Sequence, residues 1–107
     1  MRAGRYYIAT GLEHADRARY LRDSMAAAGH VLTYDWTGHG ALEHAADHDL
    51  RQLAHRYVSA IRGADAVVVI LPGGRGTHTE LGIALAMAKP VILVATPESL
   101  RGAEGWP

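Results

Sequence analysis

The 107-residue chain contains no cysteine. That excludes disulfides, thiolate nucleophiles and cysteine metal sites. Net charge is also missing: Lys and Arg together number 11, Asp and Glu number 11, and the formal total is +0. With no basic field to hold a polyanion, polymeric DNA or RNA is not an expected partner. No apolar run approaches the ~20 residues that span a membrane. The opening Met1-Arg2-Ala3-Gly4-Arg5 leads straight into a strand-like run rather than a signal peptide. The expectation is a cytoplasmic protein without membrane contact. What the chain does have is 49% hydrophobic residues, the content of a folded globule. Its length makes one domain, spanning 1–107, with a single modest core.

Strands and helices alternate along the sequence. Tyr6-Tyr7-Ile8-Ala9-Thr10 reads as a first strand closed by Gly11. Residues 14–28 read as a helix with Ala18, Leu21, Met25 and Ala28 on one face, stopped by Gly29. Residues 30–36 alternate as a second strand that ends on Trp36. Residues 42–62 carry a helical stripe of Leu50, Leu53, Tyr57, Val58 and Ile61. Ala66–Ile70 and Pro90–Ala95 are apolar throughout, as strands of a parallel sheet covered on both faces are. With right-handed crossovers, this order predicts an α/β fold: an open doubly wound, flavodoxin- or Rossmann-like parallel sheet of about four strands, order 2-1-3-4, flanked by helices. Ligands of such sheets sit at the carboxyl ends of the strands near the switch point. Here those ends are Tyr7 to Gly11, including Ala9, then Asp35 to Gly40 and Pro72 to Glu80.

The last of these segments is the most informative. Leu71-Pro72-Gly73-Gly74-Arg75-Gly76-Thr77-His78-Thr79-Glu80-Leu81-Gly82 joins the third strand to a helix-like Ile83–Ala88. A strand, a glycine-rich turn and a helix start form an anion cradle, in which backbone can approach a ligand and free N–H groups point at it. The segment lacks the Gly-Lys-Ser/Thr ending of a phosphate-binding loop of nucleoside triphosphatases, and it is not Gly-x-Gly-x-x-Gly. Glu80 reads as a first-turn carboxylate. Thr77-x-x-Glu80 also has the pattern of a capping box, in which the two side chains satisfy each other's backbone N–H. An anion cradle beside a fixed carboxylate suits chemistry on a sugar phosphate or nucleoside.

Taken in order, Tyr7-Ile8-Ala9, Ala64-Asp65-Ala66-Val67-Val68-Val69, Gly76-Thr77-His78-Thr79-Glu80-Leu81-Gly82 and Lys89-Pro90-Val91 resemble the nucleoside 2-deoxyribosyltransferase superfamily. That superfamily includes the 2'-deoxynucleoside 5'-phosphate N-hydrolases. The resemblance implies cleavage or transfer at the N-glycosidic bond of a nucleoside or nucleoside 5'-monophosphate, with Glu80 as a nucleophile that forms a glycosyl-enzyme intermediate. It implies that Tyr7 orients Glu80, that Asp65 is structural, and that a homodimer forms in which a neighbouring subunit helps complete the site. The glycine-rich segment is also similar to phosphoribohydrolases of the lysine decarboxylase-like group, which act on the same type of bond.

The family usually carries a carboxylate eight residues before that aspartate, and here the position is Tyr57. Candidate proton donors are therefore His78, His39 and the Tyr57 hydroxyl. A non-catalytic nucleotide-binding module is the alternative that this departure raises. Gly74, Arg75, Gly76 and Thr77 are candidates to hold a phosphate or sugar, and Trp36 to stack on a base or to serve as an ordinary half-buried aromatic. His44, Asp47, His48 and His55 read as a solvated helix face; no metal or cofactor is expected.

Overall fold

The computed structural model describes residues 4–38 and 47–97, with side chains from residue 50 onward in the second stretch. Its elements are β1 Arg5–Ala9, a 3₁₀ turn Leu12–His14, α1 Ala15–Ala27, β2 Val31–Leu32, α2 Asp47–Arg62, β3 Ala66–Ile70, α3 Arg75–Ala86 and β4 Val91–Val94. The sheet is all parallel and ordered β2-β1-β3-β4, as the alternation of elements predicts. The run of Val67, Val68, Val69 and Ile70 forms the central strand because β-branched side chains pack well on a pleated surface. Its register pairs Tyr7 with Val67, and Val67 with Val91.

Right-handed crossovers put α1 on one face of the sheet and α2 and α3 on the other. The alternation along β1 reports both faces. Tyr7 reaches Glu80 on α3, whereas Tyr6 faces Arg22 on α1. Tyr7, Ile8, Ile61, Val67 and Val69 are the largest fully buried side chains. The core is thus centred on β1, β3 and the last turns of α2.

The C-termini of α1 and α3 close with the Schellman pattern of paired bonds. In α1, Gly29 stands at φ 87°, as its glycine predicts, while Gly29 N donates to Ala26 O and His30 N to Met25 O, each at 3.0 Å. In α3 the same pattern falls on a non-glycine. Ala88 stands at φ 56°, with Ala88 N bonding Leu85 O at 3.0 Å and Lys89 N bonding Ala84 O at 2.9 Å.

Three expectations are corrected. The second strand is two residues, not residues 30–36. Beyond it the chain turns inward: Asp35 accepts from the Thr37 N–H and from Arg22, and the Trp36 indole N–H donates to Ile8 O at 2.8 Å. The motif helix begins at Arg75 and ends at Ala86, not Ala88. Glu80 consequently lies in its second turn, and Thr77 is an interior position rather than a cap. The N-cap is Gly74, with no side-chain cap hydrogen bond, so the Thr77–Glu80 capping box does not form. The long helix is described from Asp47; residues 42–46 of the expected span lie outside the described residues, as does the tail from residue 98.

Candidate active site

Glu80 is drawn inward by a tertiary partner. The Tyr7 hydroxyl, from the middle of β1, donates a short hydrogen bond to Glu80 Oε2 across 73 positions of sequence. Burial disfavours the carboxylate charge and pushes the Glu80 carboxyl up to about 7, against the opposing pull of the Tyr7 hydrogen bond. The Tyr7 phenol is itself pushed upward, first by burial and then by the negative charge of Glu80. It therefore remains a donor. The result is a carboxyl group aimed by one phenol and balanced between its protonated and ionised forms near neutrality.

Tyr57 on α2 packs edge-on to Tyr7, with centroids 6.4 Å apart, and edge-on to Tyr34 at 5.7 Å. Burial, followed by the charge of Glu80, pushes its hydroxyl up to about 12. Tyr57 thus supports the ring of Tyr7 and presents a hydroxyl that keeps its proton across the physiological range.

These groups open on a cleft of about 230 Å³ at the carboxyl ends of β1 and β3, where the fold class places a ligand. Glu80, Tyr57 and Trp36 form its walls, with Thr10, Gly11, Leu12 and Glu13 from the end of β1 and Gly74, Gly76 and Thr77 from the start of α3. The first helical bond of α3 runs from His78 N to Gly74 O at 3.1 Å. The N–H groups of Arg75, Gly76 and Thr77 therefore have no partner within the helix, and the helix dipole adds positive potential at that end. A Cβ built at Gly74 or Gly76 meets nothing within 4 Å, so the backbone there faces open space. Gly73 differs: a Cβ there would collide with the Thr77 side chain, which is itself buried.

The structure brings together most of the residues singled out by sequence. Glu80, Tyr57, Trp36, Gly11, Gly74, Gly76 and Thr77 share the cleft, and Tyr7 stands behind Glu80. Trp36 is a nearly buried wall, 5% exposed, rather than a half-buried aromatic, and its N–H is committed to Ile8. Ala9 is fully buried and does not line the cleft. Arg75 and His78 are exposed on α3 and do not line it either. Asp65 accepts from the Arg5 N–H at 2.8 Å, tying the entry of β3 to β1, a structural role. His39 and His44, and the side chains of Asp47 and His48, lie outside the described residues. No cluster of three potential metal ligands occurs among the described residues.

The sequence reading missed Glu13. It stands two residues beyond Gly11 in the 3₁₀ turn, and its carboxylate lies back over Gly11, where any Cβ would collide with it. The available signal was position: an acidic residue in the loop at the carboxyl end of β1. A second cavity, of about 450 Å³, lies elsewhere, between α1 and the ends of β3 and β4. Its lining is mainly apolar and includes neither Glu80 nor Tyr57.

Residues 6–104 match the family described as Nucleoside 2-deoxyribosyltransferase. No curated protein matches the sequence. Among solved structures, the fold is similar to that of the CMP N-glycosidase BcmB of Clostridium botulinum. The TM-score is 0.64 at 22% identity, covering 92% of this chain and 78% of that one.

Proposed function

The chain belongs to the nucleoside 2-deoxyribosyltransferase family, and on that premise we propose that it cleaves the N-glycosidic bond of a nucleoside or nucleoside 5'-monophosphate through a glycosyl-enzyme intermediate. The observation that carries this reading is the hydrogen bond from Tyr7 to Glu80 inside a cleft floored by the open N-terminus of α3. In its ionised form Glu80 attacks the anomeric carbon as the bond to the base breaks, and charge develops at an oxocarbenium-like centre. Tyr7 holds the attacking carboxylate in one orientation. Gly74, Gly76 and Thr77 supply backbone donors for a phosphate or for the sugar. The part of the cleft lined by Trp36 and Tyr57 receives the base. The likeness to the Clostridium botulinum CMP N-glycosidase supports a monophosphate substrate. A cytoplasmic site of action fits such substrates.

The test is incubation with ribo- and deoxyribonucleosides and their 5'-monophosphates, with free base read by chromatography. The wild type is expected to release base. Glu80→Gln, which keeps the acceptor for Tyr7 but removes the nucleophile, is expected to abolish release while remaining folded. Undiminished turnover in that variant would exclude Glu80 as the nucleophile. The second reading, a nucleotide-binding module without turnover, is favoured by Tyr57 at the position where the family usually has a carboxylate. Saturable binding of nucleotides with no base released by the wild type would select it.

A further inference from the structure

The cleft contains a second carboxylate, and its place suggests a use. Three side chains that line it can titrate, among the described residues: Glu80, Tyr57 and Glu13. An N-glycosidic bond needs two kinds of help. One group must capture the anomeric carbon, and another must move the proton that the leaving base gains and the attacking water loses. Glu80 is committed to the first task by Tyr7. Tyr57 is badly suited to the second, because its hydroxyl is pushed up to about 12 and gives up its proton only in strong base. His78 is exposed on α3, outside the lining.

Glu13 meets the requirements that these groups fail. It arises from a different element than Glu80, the 3₁₀ turn after β1 rather than α3, so the two carboxylates approach the cleft from separate walls. Its side chain is 64% exposed, so water reaches it, whereas Glu80 is sheltered. Gly11 creates the room: because that position has no Cβ, the Glu13 carboxylate can fold back over the backbone at the cleft. His14 Nε2 lies 3.9 Å from Glu13 Oε1 and is the nearest basic partner among the described residues.

We propose that Glu13 is the general acid and base of the reaction, the proton-handling partner of Glu80. This rests on the reading above that Glu80 is a nucleophile. In the first step the C1'–N bond breaks as a bond forms between C1' and a Glu80 oxygen, and the protonated Glu13 carboxyl gives its proton to the departing base nitrogen. In the second step water attacks C1', the bond to Glu80 breaks and returns its electron pair to that carboxylate, and the proton lost by water passes to Glu13. Both carboxyl groups end as they began. The net change is water plus N-glycoside to free sugar plus neutral base. The position usually acidic in the family has become Tyr57, and the acid has moved to the loop after β1.

The test compares wild type, Glu13→Gln and Glu13→Ala on two substrate types, with circular dichroism to establish that the exposed substitutions leave the fold intact. One type is the natural nucleotide that the wild type cleaves; the other is a p-nitrophenyl glycoside of the same sugar, whose leaving group needs no proton. On the natural substrate both variants are expected to lose roughly 10²- to 10⁴-fold in rate. On the activated glycoside they should still release a rapid first equivalent of nitrophenolate and then stall. Added azide, which attacks without a base, should restore turnover and yield the glycosyl azide. Natural-substrate turnover within about threefold of wild type overturns the assignment. Equal losses on both substrates without azide rescue overturn it too, because they mark a group that only grips the sugar. A wild type that releases no base from any substrate defeats the underlying reading and this proposal with it. An active wild type with an unimpaired Glu13→Gln defeats this proposal alone.

Discussion

Burial and one hydrogen bond act on Glu80 in opposite directions, and burial prevails, so the carboxyl sits at about 7 rather than near its usual 4.5. A nucleophile must be ionised, so kcat/KM on the p-nitrophenyl glycoside, whose leaving group needs no proton from Glu13, is expected to rise with pH through a midpoint near 7. Tyr7→Phe removes the influence that lowers this value. Its profile should shift to higher pH, with less activity at neutrality; an unshifted limb would show that Glu80 does not govern it. The same displacement affects stability with a defined sign. Between about 4.5 and 7 the folded protein holds a proton that the unfolded chain releases, so stability falls as pH rises through that window, by on the order of 3 kcal/mol for complete titration. Glu80→Gln should flatten this slope in denaturant titrations at pH 5 and pH 8. Glu80 and Tyr7 were legible in the sequence because each lies in a short ordered motif. Their bond was not, since it joins residues 73 positions apart and depends on β1 lying beside β3. Thr77-x-x-Glu80 misled for the same reason. Its local pattern fits a cap, but the Tyr7 hydroxyl takes the carboxylate. Glu13 was illegible because its use depends on how the turn after β1 folds back over Gly11.

Strand order and helix faces were readable because periodicity and crossover handedness are local or general rules. Element ends were less so, and α3 shows why at both termini. At its start, helix geometry takes in Arg75-Gly76, directly after Gly73-Gly74, residues that composition alone marks as a loop. The glycines there separate by what surrounds them. A Cβ at Gly73 collides with Thr77, so Gly73→Ala should destabilise the fold. At Gly76, inside the helix with open space around it, alanine should stabilise by roughly 0.5–1 kcal/mol yet weaken nucleotide binding by intruding on the cleft. Calorimetric binding unchanged in a folded Gly76→Ala would remove that backbone from the ligand site. Just past its end stands Ala88, a good helix former held at φ 56° by the Schellman bonds. The left-handed region costs a residue with a Cβ about 1 kcal/mol. Ala88→Gly is therefore expected to raise the thermal midpoint by a few degrees, and a lower midpoint would contradict that account.

A sheet with one helix on one face and two on the other leaves apolar surface that a chain of this size cannot cover alone. On the α1 side, Ile92 and Val94 of the edge strand β4 are 54% and 46% exposed, and Tyr20 of α1 is 77% exposed beside them. The apolar cavity of about 450 Å³ borders the same surface through Tyr20 and Val94. An Ala/Leu/Met helix such as residues 83–88 can pack on its twin, with Trp106 of the tail as a further apolar contact. In the fold, Ile83 and Met87 instead turn inward against the core, leaving Leu85 as the exposed large side chain of that segment. Trp106 lies outside the described residues. The bare patch is thus on β4 and α1, a difference that depends on which helix covers which strand. A second copy of the chain is the expected cover, since a two-fold axis buries one apolar patch against itself. Light scattering after gel filtration should give about twice the 11.5 kDa of the chain. Ile92→Arg places a charge where the two copies would meet, and should yield a folded monomer. A wild type that elutes as a monomer at micromolar concentration rules the dimer out. A dimer that survives Ile92→Arg moves the contact away from this face, with Leu85 on α3 as the next position to change.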